Sequence, residues 1–312
     1  MNTAEHKTVL AEETVNSVLH RGDGYYIDAT FGRGGHSQRL LEKLSHEARL
    51  LVIDKDHAAV AVAESLAQRD QRVLVRQGSY IQLSRWVAEL GWSGKVSGIV
   101  LDLGVSSPQI DDAGRGFSFQ VDGPLDMRMD QERGLSAAEV LATVSEPDLA
   151  DILFTYGEER YARRIARALV LARAQVPLTR TLQVAAIIRE AHPAWDHHKH
   201  PATRSFQALR LYVNHELEEL EQVLPMAVES LEPGGRLAVI SFHSLEDRRV
   251  KQFMRDEVRG VEPPSLRGLP VAPAMTTPRL RQVIRRQDPS EQEIAENPRS
   301  RSAHLRVAER LS

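Results

Sequence analysis

Residues 25–37 read Tyr25-Tyr26-Ile27-Asp28-Ala29-Thr30-Phe31-Gly32-Arg33-Gly34-Gly35-His36-Ser37, and this stretch decides the fold. Its first five residues form a short apolar run of strand type, bounded before by Arg21-Gly22-Asp23-Gly24. A glycine-rich turn follows, and the pattern predicts a helix from near Ser37 to about Leu44. In a strand, glycine turn and helix, the missing side chains let a ligand approach bare backbone at a helix start.

The same rhythm continues on the C-terminal side. Leu50-Leu51-Val52-Ile53-Asp54, Val73-Leu74-Val75-Arg76-Gln77 and Gly98-Ile99-Val100-Leu101-Asp102 are short apolar runs, with helical patterns at about 58–68 and 83–90 between them. Apolar strands alternating with helices predict a parallel sheet covered on both faces. From Asp111 to about Phe206 the chain reads as mainly helical, with helices expected at 137–141, 146–156, 160–173 and 182–191. A long helical pattern, 209–231, leads through a Pro233-Gly234-Gly235 turn into a strand at Arg236-Leu237-Ala238-Val239-Ile240-Ser241. Two late strands are expected at 281–286 and 304–308. The sheet is thus interrupted and resumed: residues 1–110 with 207–312 form one domain, and 111–206 form an inserted helical domain. With 312 residues and roughly 150 per domain, length alone suggests about two domains.

Composition excludes whole classes of chemistry. There is no cysteine, hence no disulfide, thiolate–zinc site, iron–sulfur cluster or thiol nucleophile. No uncharged apolar run approaches the ~20 residues of a membrane span. Charges within Met1–Glu13 occupy the place of a signal peptide's apolar core, so a cytoplasmic protein without membrane association is expected. The net charge of −3 argues against a uniformly basic nucleic-acid binder. Only six of the 40 basic residues are lysine. Arginine's planar fork suits phosphate and bases, although a GC-rich genome produces the same bias.

Asp54 closes the second strand 22 residues beyond Gly32, where a carboxylate accepts hydrogen bonds from two ribose hydroxyls. Together with the glycine turn it indicates an adenosine-containing cofactor. An ordinary tight turn, with Asp54 as a helix cap, accounts for the same residues. The dinucleotide pattern G-x-G-x-x-G fails because Ser37 holds the third glycine position. S-adenosylmethionine has no pyrophosphate to cradle and tolerates that departure better than NAD. Asp102-Leu103-Gly104-Val105-Ser106-Ser107-Pro108-Gln109 ends the fourth strand, where sheet order is expected to reverse and ligands bind. Ser107-Pro108 resembles half of the motif of amino-group methyltransferases, lacking its second proline and aromatic. A polar side chain and a carbonyl there accept the two hydrogens of an exocyclic amine, so catalysis is chiefly alignment. Methylation at a pyrimidine carbon normally requires a cysteine nucleophile, whereas an exocyclic amine does not.

The chain resembles the bacterial small-subunit ribosomal-RNA cytosine-N4 methyltransferases, the RsmH or MraW family. The resemblance runs through 6–10, 26–37, 101–112, Arg115-Gly116-Phe117-Ser118-Phe119, 122–129, Tyr156-Gly157-Glu158-Glu159-Arg160, 200–204, Ser241-Phe242-His243-Ser244-Leu245-Glu246-Asp247-Arg248 and 297–302. It implies α/β architecture, a Rossmann-like class I methyltransferase sheet with an inserted helical domain. It also implies that Gly34, Gly35, His36, Asp54, Asp102 and Gln109 bind S-adenosylmethionine, with Tyr80 where the family usually has Phe. The implied substrate is a cytidine in the decoding region of 16S ribosomal RNA, within the small subunit or a late precursor. A homodimer is left open.

Arg160, Arg163, Arg164 and Arg167 are spaced as one helix face, either a phosphate-binding stripe or a solvated face partly paired with Glu158 and Glu159. His197, His198 and His200 fit a solvated loop near RNA better than a metal site, and no metal is expected. His243 follows the strand after Asp102 and is a candidate general base. Protonated cytosine N4 loses its proton readily, so positioning by Ser241, His243 or Ser244 is favoured. Asp126, Arg128 and Arg204 serve either packing of the insertion or RNA contact. An NAD-dependent oxidoreductase and a non-catalytic RNA-binding factor are the competing classes.

Overall fold

The computed structural model describes residues 8–193, 200–260 and 277–312. Two compact units emerge, one built from the chain up to Gly104 and again from Leu217 onward, the other from Val105–Glu216.

The first unit begins with α1 (Ala11–Val18), β1 (Tyr25–Asp28), α2 (Gly35–Lys43), β2 (Arg49–Asp54), α3 (His57–Arg69), β3 (Val73–Gln77), α4 (Leu83–Glu89) and β4 (Val96–Asp102). The second is helical: α5 (Ser107–Asp111), α6 (Ala137–Thr143), α7 (Glu146–Gly157), α8 (Ala162–Arg173), α9 (Thr181–Ala191) and α10 (Thr203–Asn214). The chain then returns through α11 (Glu216–Ser230), β5 (Leu231–Ser241), α12 (Ser244–Arg259), β6 (Leu280–Gln287), α13 (Glu291–Glu296) and β7 (His304–Arg310).

The seven strands form one sheet in the order β3-β2-β1-β4-β5-β7-β6. β1 to β5 pair in parallel, and β7 pairs antiparallel with both β5 and β6. Alternate side chains feed two apolar layers, as the period of a strand requires. Ile27, Leu51, Ile53, Ile99 and Val239 pack with Trp86, Val223 and Met254 on one face. Tyr26, Leu50, Val52, Val100 and Ile240 pack with Val15, Leu40 and Ala63 on the other. Burial on both faces explains why these strands read as continuous apolar runs.

Three local expectations are corrected. The helical pattern 209–231 is two helices, because the chain turns left-handed at His215 (φ 53°). Just before it, the Asn214 side chain, at the last position of α10, donates to the Met127 carbonyl and accepts the Met129 N–H, both at 2.7 Å. The Pro233-Gly234-Gly235 turn lies inside β5 rather than before it. It forms an excursion between the pairs Val96 with Leu231 and Gly98 with Arg236. The expected helix 160–173 starts only at Ala162, so Arg160 lies outside it. In the second unit, Phe206, Ala208 and Leu209 of α10 share a core with Leu149, Leu153 and Ile165.

Candidate active site

Asp28, Asp54 and Asp102 are the last residues of β1, β2 and β4. Carboxyl ends of parallel strands open on one edge of a sheet, and ligands collect where strand order reverses, here between β1 and β4.

Asp54 organises the glycine loop. Its Oδ2 accepts the Gly32 N–H at 2.8 Å and its Oδ1 accepts the Asp56 N–H at 2.9 Å. Asp56, not Asp54, caps α3, accepting the Ala58 N–H. Burial pushes the Asp54 carboxyl up to about 6, against the opposing pull of those two backbone bonds. The Asp54 carbonyl accepts the Gly78 N–H at 2.8 Å, which ties the turn carrying Tyr80 to the same strand end. Tyr80 is buried, and the Lys55 ammonium lies 5.9 Å from its ring centre.

Glycine at 34 and 35 answers to the loop's own packing. Gly34 takes φ 78°, and a Cβ there would sit 2.6 Å from the Phe31 ring. A Cβ on Gly35 would lie 1.6 Å from Thr8 Oγ1. At Gly32 a Cβ would meet only the Thr30 carbonyl, at 4.0 Å, so this is the glycine that leaves an approach open.

Asp28 was not singled out from sequence, although it ends its strand as Asp54 and Asp102 end theirs. It is buried, accepting the Ser37 hydroxyl at 2.6 Å and the Thr30 N–H at 3.3 Å, and burial raises its pKa. Thr30 Oγ1 in turn accepts the Asp102 N–H at 2.6 Å. His36, 5% exposed, places Nε2 3.4 Å from Asp102 Oδ2. Burial opposes the imidazolium, but the hydrogen bond and charge of Asp102, with the charge of Asp28, outweigh it and raise the His36 pKa. His36 Nδ1 and Asp102 Oδ1 are buried with no hydrogen-bond partner among the described residues. Unmatched buried polar atoms are costly, and a polar ligand group would satisfy both.

At the end of β5, Ser241 is buried. Its hydroxyl lies 3.5 Å from Asp247 Oδ1 and 3.4 Å from the His304 carbonyl. Arg306 grips Asp247 with bonds of 2.7 and 2.9 Å. His243 caps α12: its Nδ1 accepts the Glu246 N–H at 3.4 Å and its Nε2 lies 3.0 Å from Glu246 Oε1. Glu246 is buried and accepts the Phe242 N–H at 2.9 Å. Ser244 opens the helix and is exposed.

In the second unit, Ser107, Pro108 and Gln109 form the first turn of α5, where Gln109 Oε1 accepts the Ser106 N–H at 2.9 Å in a capping box. Arg128 binds Asp126 through two 2.8 Å bonds and donates to the Gly134 carbonyl, so it is held within this unit. Arg204 donates to the Glu158 carbonyl at 3.0 Å. Arg160, Arg163, Arg164 and Arg167 are exposed and make no ion pair or side-chain hydrogen bond among the described residues. Glu159 is buried and turned to the Tyr161 N–H and His192, away from that stripe. His200 packs on Phe119, with ring centres 4.7 Å apart, and its Nδ1 accepts the Ala202 N–H. His6, Lys7, Trp195, Asp196, His197, His198 and Lys199 lie outside the described residues. Among those described, no helix is long and apolar enough to cross a membrane.

A parallel sheet that reverses at β1 and β4 and closes on antiparallel β7, with carboxylates ending its central strands beside a glycine loop, defines a Rossmann-like methyltransferase fold. Residues 3–311 match the model of the MraW methylase family, and the chain belongs to that family. Among solved structures it is similar to a candidate rRNA-methylase from Clostridium thermocellum, with 11% identity over 98% of this chain and 97% of that one (TM-score 0.45). An rRNA methylase from Streptococcus thermophilus has 10% identity over 98% and 99% of the two chains (TM-score 0.44). A candidate methyltransferase from Streptococcus mutans in complex with SAH has 12% identity over 98% and 99% (TM-score 0.44).

Proposed function

We propose that this chain methylates the exocyclic N4 amine of a cytidine in the decoding region of 16S ribosomal RNA, in the cytoplasm, on the small subunit or a late precursor. Membership of the MraW methylase family supports methyl transfer. The observation that carries the cofactor assignment is the polar cluster at the strand ends, where His36 Nδ1 and Asp102 Oδ1 are buried without partners beside a glycine loop. The donor set fits S-adenosylmethionine: carboxylates for hydroxyls and an ammonium, an aromatic face for a base, and backbone at Gly32 for close approach. Bound S-adenosylmethionine would supply an electrophilic methyl carbon on a sulfonium, which an amine lone pair would attack in line as the carbon–sulfur bond breaks and S-adenosylhomocysteine leaves with that bond's electrons.

Asp54 keeps lone pairs beyond those used by the Gly32 and Asp56 N–H groups, and these would accept two ribose hydroxyls. Tyr80 offers the flat face for the base. Gly34, left-handed, and Gly35, which opens α2, would present backbone to the cofactor, and His36 with Asp102 offers the remaining polar contacts, with Gln109 assigned to the same cofactor. For the amine we assign Ser107 and the carbonyl before Pro108 as acceptors of its two hydrogens, leaving the lone pair directed at the methyl carbon. After methylation N4 would carry one proton too many, and with its hydrogens held by these acceptors it would release that proton to water. A strong base is unnecessary, so His243 and Ser244 are assigned to positioning, while Ser241 supports them through Asp247. Absence of cysteine favours the amine over the ring carbon. Residues 111–206 would recognise RNA, with Arg163, Arg164 and Arg167 on phosphates and Arg160, Arg128 and Arg204 beside them.

Mass spectrometry of 16S rRNA nucleosides, mapped to position with and without the protein, tests the reading. Loss of N4-methylcytidine at one decoding-region position is expected. An unchanged content overturns it.

A further inference from the structure

Exposure along α12 follows a single line. Ser244, Arg248, Lys251, Arg255 and Arg259 are its five exposed residues, and their spacing puts them on one face. Four of the five are cationic. The acidic residues of the same helix all turn inward or are paired: Glu246 to the Phe242 N–H, Asp247 to Arg306, Asp256 to Gln252 and, at 3.4 Å, to Arg255 of the exposed face, and Glu257 to Arg279. Lys251 and Arg259 make no ion pair or side-chain hydrogen bond among the described residues. A helix that contains as many inward carboxylates as outward cations is nearly neutral by composition and cationic by surface.

We propose that this face of α12, in the first unit, is a track for a nucleic-acid phosphate backbone, built from a different set of cations than the arginines of α8. The inference rests on the RNA-methylating reading above. Ser244, assigned there to positioning, stands at the head of the track. The cations follow at intervals of three to four residues, about 5 to 6 Å along the axis. That interval is close to the separation of successive phosphates along a single strand, so consecutive cations meet consecutive phosphates. The face carries no Trp, Phe or Leu, which a helix lying in a membrane interface requires. Polyanion chemistry without an apolar component favours RNA over lipid.

The test uses the full-length protein and a 16S rRNA transcript, with binding followed by fluorescence anisotropy across a KCl series. In Lys251→Gln/Arg259→Gln the slope of log K against log salt is expected to flatten by roughly 1.4 to 1.8, which is roughly a 25- to 60-fold weaker affinity at 0.1 M KCl. Lys251→Arg/Arg259→Lys keeps both charges and is expected to keep the wild-type slope, which separates lost charge from lost folding. A wild-type slope in the Gln variant, with wild-type RNA binding and methylation intact, overturns the track and leaves the RNA reading standing. Failure of the wild type to bind the transcript overturns both. Equal binding of phosphatidylserine vesicles, lost in the Gln variant while RNA binding is kept, overturns the track in favour of a lipid surface.

Discussion

Cofactor affinity should follow the ionisation of Asp54. Only the carboxylate accepts both ribose hydroxyls, because a protonated carboxyl offers a donor where an acceptor is needed. Burial raises this group to about 6, above the ordinary 3.8. The sign follows. The folded chain holds the Asp54 proton more tightly than the unfolded chain, so this group's contribution to stability is full below 3.8 and is lost as pH rises through about 6. The accepting form appears over the same rise. A group with that pKa is roughly nine-tenths ionised at pH 7 and roughly one-tenth at pH 5, so S-adenosylmethionine should bind roughly tenfold more weakly at pH 5. Binding at pH 5 should release about 0.9 proton, against about 0.1 at pH 7.

Titration calorimetry in two buffers of different ionisation enthalpy measures both quantities. His36 also titrates nearby, its pKa raised by Asp102 and Asp28 against burial, so a variant is needed to separate the two limbs. Asp54→Asn removes the acid limb and should lower affinity at pH 7.5 by about 1.5 to 3 kcal/mol, the range for a hydrogen bond to a charged group. Equal affinity at pH 5 and pH 7, with no proton release and no effect of Asp54→Asn, would refute the role given to this carboxylate.

Three further outcomes are expected. Gly34→Ala forces φ 78° on a residue with a Cβ and drives that atom to 2.6 Å from the Phe31 ring; urea denaturation should show a loss of about 2 to 4 kcal/mol, and a loss under about 1 kcal/mol contradicts the packing account. Arg306→Met leaves the Asp247 carboxylate without its two-pronged partner and should destabilise by about 3 kcal/mol at pH 7. Asp247's pKa is lowered, with Arg306's bond and charge overcoming burial, so the loss should shrink as pH falls below 3.8; a pH-independent loss contradicts it. His243→Ala should lower kcat by no more than about 10²-fold with the pH profile of kcat unchanged, whereas a larger fall that abolishes an acid limb would make His243 a general base.

The sheet was legible because its strands are buried on both faces: β1, β2 and β4 have nowhere to place polar side chains except at their ends. The same constraint made Asp54 and Asp102 conspicuous. Asp28 meets the same criterion and was passed over, since it sits inside the glycine motif and reads as part of it. Features set by tertiary pairing were not legible. Nothing local fixes β7 as antiparallel, because its direction follows from pairing with β5 and β6. The break at His215 is flanked by Asn214's bonds to Met127 and Met129, contacts distant in sequence that no local pattern displays. The glycine loop is legible as a loop, but the packing that requires glycine at 34 and 35, against Phe31 and Thr8, is set by tertiary contacts that the motif does not display.

Charge shows most clearly why composition stops short of function. A net charge of −3 would fit a protein indifferent to polyanions. α12 went unnoticed as a helix because Ser244-Leu245-Glu246-Asp247-Arg248-Arg249-Val250-Lys251 is mostly charged, and its apolar period is thin. Those charges are segregated. Arg306, Arg279 and backbone N–H groups draw the carboxylates inward, which leaves the cations outward. Asp247 and Glu257 each cancel a cation in the sum, yet they are paired with Arg306 and Arg279 rather than with the exposed cations, whereas Asp256 lies 3.4 Å from Arg255 and weakens that one position. Summed charge therefore bounds solubility, and only the direction of each side chain decides whether a face can hold RNA.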